Sequence, residues 1–420
     1  MFERRVAPIV KVLLAEEPVI ALQGPRSVGK TTLLRSIAEA EGAEVFNLDD
    51  LTTRAAVAAD PALFMAGEPP VCVDEFQHVP EVLDAIKAEL NEKTSPGRFV
   101  LTGSTRHDAL PLAAQALTGR LHLLTVLPLS QGEIDGVHER FVEALFEDPG
   151  RLVTSERSRT SREDYIDRVI RGGFPLAIRR SMTGRRRWFD DYVTLSLDRD
   201  VRALANIRQR DQMPRLLSRL AGQTGQVLNV AEAASSVGLA KSTADDYVKL
   251  LEAVFLLYRL PAWGTTLTAR STALPKLHVV DSGLAARLLR LSAAKLRAAD
   301  PASLQQFGHL LETFVVAEVR KQVSWSDAVT GIGHWRTHDG DEVDLVIEAD
   351  DGRVAAVEVK AGTRVRSADL RSLVRLRDKL GDRFVAGIAL YTGERSYVAE
   401  DRLYVAPVDR LWLPNGGVLS

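Results

Sequence analysis

Residues 24–31 read Gly24-Pro25-Arg26-Ser27-Val28-Gly29-Lys30-Thr31, bracketed by the apolar run Val19-Ile20-Ala21-Leu22 and the amphipathic stretch Thr32–Ala40. A strand that runs through a glycine-punctuated loop into a helix is suited to gripping phosphate. Glycines let backbone N–H groups turn inward, and the helix behind the loop presents its positive end. The spacing predicts that Gly24 and Gly29 shape the loop and that Pro25, Arg26, Ser27, Val28 and Thr32 complete the wrap. Lys30 is expected to reach the β- and γ-phosphates, and the Thr31 hydroxyl to ligate Mg²⁺. A nucleoside triphosphate and Mg²⁺ are therefore the expected cofactors.

Four further apolar runs follow, at Glu44–Leu48, Val71–Val73, Arg98–Leu101 and Leu121–Val126, with amphipathic segments such as Val82–Leu90 between them. That alternation marks βαβ units and a parallel sheet. Val71-Cys72-Val73-Asp74-Glu75 ends an apolar strand in two carboxylates. Asp74 is the expected holder of Mg²⁺ and Glu75 the residue that polarises the attacking water. Cys72, the only cysteine, reads as a small buried hydrophobe. The strand Phe99–Thr102 runs into Gly103-Ser104, so a hydroxyl there can sense the γ-phosphate; Ser104 is the first choice and Thr102 the second, with a plain turn the alternative. Arg120 is a candidate for transition-state charge, in cis or from a neighbouring subunit, with a plain surface role the alternative.

The P-loop, Val73-Asp74-Glu75, Leu101-Thr102-Gly103-Ser104, Gly119-Arg120 and Pro128-Leu129-Ser130 blocks together resemble AAA-type ATPases that carry a C-terminal DUF4143 domain. Gly172-Gly173-Phe174-Pro175, Arg199-Asp200-Val201 and Pro275-Lys276-Leu277 through Asp281-Ser282-Gly283-Leu284 continue the likeness over nearly the whole chain. The resemblance implies an α/β protein with a P-loop parallel-sheet ATPase domain at 1–134. A mostly helical middle region with a winged helix at 135–274 and a restriction-endonuclease-like α/β domain at 275–420 would follow. It also implies ATP as the nucleotide.

The middle region reads as helical from Trp188 to about Leu260. Within it, Asn229–Ala234 and Gly238-Leu239-Ala240-Lys241-Ser242-Thr243 suggest two helices about a turn, with Ser242 capping the second. Lys241, Ser242 and Thr243 suit a DNA-reading helix, but Asp245 and Asp246 would repel phosphates, and packing or an ATPase lid is the other use. Arginines between 151 and 187 form a candidate phosphate-binding stretch, diluted by Glu156, Glu163, Asp164 and Asp167, with a solvated charged face the alternative.

Towards the end, a helix at Leu310–Val323 precedes strands at Gly333–Arg336, Glu342–Glu348 and Val354–Lys360. Period-two alternation puts Glu358 and Lys360 on one face, with Asp344 on the preceding strand beside them. Such a set resembles the PD-(D/E)xK nuclease fold, in which Glu312, Asp344 and Glu358 would hold a metal and Lys360 would serve the phosphate or water.

Hydrophobic residues make up 45% of the 420 and the net charge is −2, so no global basicity points to nucleic acid. No apolar run approaches the ~18 residues of a membrane helix. A cytoplasmic protein without a membrane partner is expected. Two functions compete: an ATPase controlling a nuclease or a DNA- or RNA-binding domain, and an ATP-dependent switch whose nuclease-like domain binds a protein partner without cutting. A winged-helix transcription regulator is a third. Oligomeric state stays open.

Overall fold

The N-terminal sheet falls where the apolar runs predict. A computed structural model describes residues 2–106, 117–204, 211–266, 273–298 and 300–413, so part of each expected domain lies outside the described residues. Helix α1 (Ala7–Glu16) leads into β1 (Val19–Gln23), the loop, and α2 (Lys30–Glu41). Then come β2 (Val45–Asn47), β3 (Val71–Asp74), α3 (Val82–Glu92), β4 (Phe99–Gly103) and β5 (Leu121–Thr125). These strands make one parallel sheet in the order β2-β3-β4-β1-β5. β3 and β4 are buried on both faces, as a sheet covered by helices requires. Burying each large aliphatic or aromatic side chain there contributes about 1.5–3 kcal/mol. In such a sheet ligands bind beyond the carboxyl ends of the strands, where the connections reverse, and that is where the loop after β1 lies.

A short helix α4 (Gln131–Asp135) leaves this domain, held by a capping box between Ser130 and Glu133. The middle segment contains α5 (Met182–Leu195), which runs into a π-helical turn at Ser196–Val201. Next come α6 (Gln212–Ala221), β6 (Gln226–Val227), α7 (Val230–Ser236), α8 (Lys241–Ala253), β7 (Leu257–Leu260) and β8 (Lys276–Val279). The three strands form an antiparallel sheet in the order β6-β8-β7. Two expectations are corrected here. The stretch to Leu260 is not all helical, because Gln226–Val227 and Leu257–Leu260 pair across β8. The boundary at 275 falls inside this sheet, since Lys276–Val279 completes it. Helix α7 takes its cap from Asn229, whose side chain accepts from Glu232 N; α8 starts at Lys241 behind Ala240 with no side-chain cap, so Ser242 lies inside the helix.

The third sheet is mixed. Helix α9 (Pro301–Val323) precedes β9 (Val329–Arg336), β10 (Glu342–Ala349) and β11 (Val354–Lys360), an antiparallel meander. Helix α10 (Arg371–Leu380) crosses to β12 (Phe384–Tyr391), which runs parallel to β11. β13 (Tyr397–Glu400) and β14 (Leu403–Pro407) finish the order β13-β14-β12-β11-β10-β9. α9 begins nine residues before the predicted Leu310, because Asp300 caps it and Pro301 suits a first turn.

One apolar core runs through all three units, from Val10 of α1 through Leu216 of α6 to Val315 of α9 and Ile388 of β12. A buried polar seam accompanies it. The Glu318 carboxylate accepts from Gln131 N at 2.8 Å, Lys321 donates to Leu129 O at 3.0 Å, and Gln322 accepts from Val142 N and donates to Leu411 O.

Candidate functional site

The loop after β1 closes tightly. A Cβ on Gly24 would lie 2.2 Å from Val126 O, so the backbone can follow this path only with glycine. Gly29, at φ +99°, starts α2 in a conformation that L side chains resist. Lys30, 4% exposed, donates to Gly24 O at 2.9 Å and Pro25 O at 2.8 Å. Burial pulls its pKa down to about 8, with Glu75 and Asp74 opposing.

The predicted residues of β3 and β4 assemble beside this loop. Thr31 Oγ1 donates to Asp74 Oδ1 at 3.1 Å, and Thr102 Oγ1 bonds the same oxygen. Thr102 Oγ1 also accepts from Glu75 N at 3.1 Å, which turns the carboxylate-bearing corner. Glu75 sits at φ 56°, in the left-handed region where a residue with a side chain is strained by about 1–3 kcal/mol. Gln77, which no sequence motif marks, bonds the Glu75 carboxylate and donates to Ser104 Oγ at 3.1 Å. Burial raises the Asp74 pKa, and its hydrogen bonds to Thr102 and Thr31 act the other way.

Arg26 points out of the loop to a partner 174 residues away. Its Nε lies 2.7 Å from both oxygens of Asp200, on the π-helical turn. The adjacent Arg199 donates to Asp49 Oδ1 at 2.8 Å and meets His78 Nε2 at 3.3 Å, on the rim beyond Glu75. From the other side, Ala253 O at the end of α8 accepts from Arg106 N, two residues past Ser104. The middle segment thus touches the candidate nucleotide site twice.

Arg120 does not join the group. It immediately precedes β5, whose first residue pairs with Val19 at the start of β1, so it lies at the opposite end of the sheet from the loop. Its guanidinium bonds Asn91 on the surface. A role for Arg120 in cis is therefore corrected, by about 16 Å of strand.

The C-terminal set also comes together, around a residue predicted only as part of a family block. Lys276 of β8, 1% exposed in its side chain, donates to Glu312 Oε1 at 2.8 Å and Asp344 Oδ1 at 2.9 Å, and pairs with Glu342 Oε1 at 2.5 Å. Asp344 Oδ2 accepts from Val359 N at 3.0 Å, and Lys360 donates to Glu358 Oε1 at 2.8 Å. Burial works to lower the Lys276 pKa, but Asp344, Glu312 and Glu342 outweigh it and keep the ammonium charged. Three carboxylates about one cation leave negative charge in excess; burial and the Asp344 charge raise the Glu312 pKa, and the Lys276 ammonium works the other way.

The two expected Mg²⁺ sites fare differently. At the loop, the Thr31 hydroxyl beside the Asp74 carboxylate is a fitting pair of oxygen donors. At Glu312, Asp344 and Glu358 a divalent ion does not fit, because a buried ammonium already takes the place of the cation. Among the described residues no group of three or more His, Cys, Asp or Glu is set to hold a metal. The metal role of Glu312, Asp344 and Glu358 is corrected accordingly.

The arginine-rich stretch is largely partnered. Arg151 pairs with Asp148, Arg157 with Glu394 and Arg168 with Asp135, while Arg162 lies over the Phe307 ring.

The N-terminal unit is a parallel-sheet P-loop ATPase-like domain, and the C-terminal unit has a separate mixed sheet. Comparison with known families agrees: residues 16–135 match the AAA domain, 307–411 a domain of unknown function (DUF4143), and 162–295 a domain of unknown function (DUF8612). Uncharacterized proteins of Mycobacterium tuberculosis and Mycobacterium bovis are each 28% identical over 423 residues, covering 100% of this chain and 86% of theirs. Among solved structures, a Walker-type ATPase of Pyrococcus abyssi is 12% identical at a TM-score of 0.40, over 69% of this chain and 96% of its own. The RuvB Holliday junction branch migration motor of Thermotoga maritima is 19% identical at 0.30, over 61% and 89%. No helix among the described residues is long and apolar enough to cross a membrane.

Proposed function

We propose that the protein is a Mg²⁺-dependent ATPase that acts as a switch, with a C-terminal unit that binds a protein partner and does not cut nucleic acid. The observation that carries the first half is the contact group of Thr31, Asp74, Thr102 and Glu75 at the open end of the loop. Bound Mg²⁺ would neutralise charge building on the β- and γ-phosphates. Around it, Thr31 and Asp74 supply oxygens, and Lys30 leaves its loop carbonyls for phosphate. Glu75 orients the attacking water, held in place by Gln77. Ser104 is the better candidate sensor, because its hydroxyl accepts from Gln77 and keeps its own proton to donate. Thr102 already bonds Asp74 and Glu75. A cavity of about 540 Å³ beside Gly29 and Thr32, walled by Phe2, Leu33, Leu176 and Arg179, offers room for the nucleoside.

In the C-terminal unit, the order helix, three antiparallel strands, helix, parallel strand supports a restriction-endonuclease-like core, and Lys276 favours the reading in which that core has no cutting role. The middle order α6, β6, α7, α8, β7, β8 supports a winged helix. Its contact through Ala253, together with that of the preceding Ser196–Val201 turn, favours a lid over a DNA reader.

Phosphate release from ATP, measured with and without Mg²⁺ for wild type and Glu75→Gln, tests the first half. Turnover should need Mg²⁺ and fall by about a hundredfold or more in the variant while ATP still binds; equal turnover removes Glu75 from this role. Incubation with single- and double-stranded DNA and RNA plus Mg²⁺ should leave every strand intact. Cleavage that Asp344→Ala abolishes would restore the nuclease reading.

A further inference from the structure

Arg26 is placed as more than a member of the loop. It stands between the two loop glycines, yet its guanidinium bonds nothing in the loop and turns to Asp200. That carboxylate is 5% exposed in its side chain and arrives from the middle segment. Lys30, the loop's other side-chain cation, is bonded to its own backbone carbonyls and makes no such external contact among the described residues. Arg26 and Asp200 both lie close enough to Glu75 to feel its charge, and Asp200 is also near Lys30. The pair therefore sits on the Glu75 side of the loop, the side from which water would approach a terminal phosphate.

A guanidinium offers five N–H donors in a planar fork that suits carboxylate and phosphate alike. An arriving γ-phosphate presents Arg26 with a stronger anion than Asp200 and repels Asp200 by like charge. A diphosphate, ending one group short, does neither. We propose, on the reading of this loop as an ATP site, that Arg26 reads the γ-phosphate and that Asp200 is the anion it gives up on doing so. Triphosphate then loosens the Ser196–Val201 turn at this ion pair, while diphosphate leaves it latched. Arg199 adds a second grip on the same turn, through Asp49 and His78. Nucleotide state thereby reaches the middle segment through one ion pair.

The test is calorimetric titration of ATP and of ADP into protein carrying Glu75→Gln, so that ATP is not consumed. Adding Asp200→Asn should tighten ATP by about five- to tenfold and leave ADP within about twofold. Adding Arg26→Ala should bring the two nucleotides within about twofold of each other. Should either variant fail to fold, the double change Arg26→Met, Asp200→Leu removes both charges together and should show the same loss of discrimination. Equal shifts in ATP and ADP on Asp200→Asn, or an unchanged ATP-to-ADP ratio in the double variant, overturn the proposal while the ATP site stands. Background protein that binds neither nucleotide overturns the ATP site itself and the proposal with it.

Discussion

The phosphate loop and the C-terminal carboxylate cluster each meet one charged side chain of the same middle segment, and each meets the sign that its expected ligand would carry. Asp200 answers the loop; Lys276 answers the acids. The two contacts differ in depth. Asp200 reaches the loop through a single guanidinium nitrogen at its rim and leaves the Thr31–Asp74 corner clear. Lys276 lies at the centre of its cluster with three carboxylates within 2.9 Å. A rim contact can be traded for a ligand. A central one, enclosed in a low-dielectric site, is part of the fold.

Lys276→Ala should break the comparison most severely. It leaves uncompensated buried carboxylates and should cost about 3–5 kcal/mol in denaturant unfolding. The same variant should acquire an affinity for Mn²⁺, seen as a rise in melting temperature with nucleotide left out. An equal rise in wild type would show that the lysine does not exclude the ion.

Lys30→Ala should come next, weakening ATP by about a hundredfold or more in a binding titration, since it removes a charge-assisted phosphate contact from a buried site. Unchanged affinity would remove the loop from the ATP reading.

Glu358→Gln should act in the opposite direction, on stability. Burial and the Asp344 charge push Glu358 from 4.5 up to about 8, so the folded protein holds a proton that the unfolded chain releases. Stability therefore falls as pH rises from 4.5 through 8. The amide should remove that slope and leave the protein more stable than wild type at pH 8, with Lys360 free to reach solvent. A pH profile identical to wild type would place the titration elsewhere.

Arg120→Ala should have the smallest effect, within about 0.5 kcal/mol in stability. Turnover that also holds would confine the chemistry to the loop end of the sheet. A large loss would instead mark an arginine supplied to a neighbouring copy.

What was legible in the sequence follows from range. The strand, loop and helix around Gly24–Thr31 are local, and so is the alternation that pairs Glu358 with Lys360; both stand where periodicity puts them. Thr102 beside Asp74 needs only one crossover in a parallel sheet. Arg26 with Asp200 does not follow from any local pattern, because nothing near either residue specifies a partner 174 positions away. Lys276 was in view only as one residue of Pro275-Lys276-Leu277. Its role appears once β8 is seen to pair with β6 and β7, and that pairing also moves the boundary expected at 275. Ser242 differs for a simpler reason: a serine inside the first turn resembles a cap when the residue that starts the helix, Lys241, follows an alanine.

The seam along α9 has a consequence for how the molecule comes apart under heat. Glu318, Lys321 and Gln322 are buried against Gln131, Leu129, Val142 and Leu411, and the apolar core continues past them from α1 to β12. Separating the C-terminal sheet from the ATPase-like domain would strand an acid and an ammonium in an apolar surface, at a cost comparable to the stability of a small domain. Three sheets should therefore melt in one endotherm, and the C-terminal unit cut away at Pro301 should aggregate instead of folding alone.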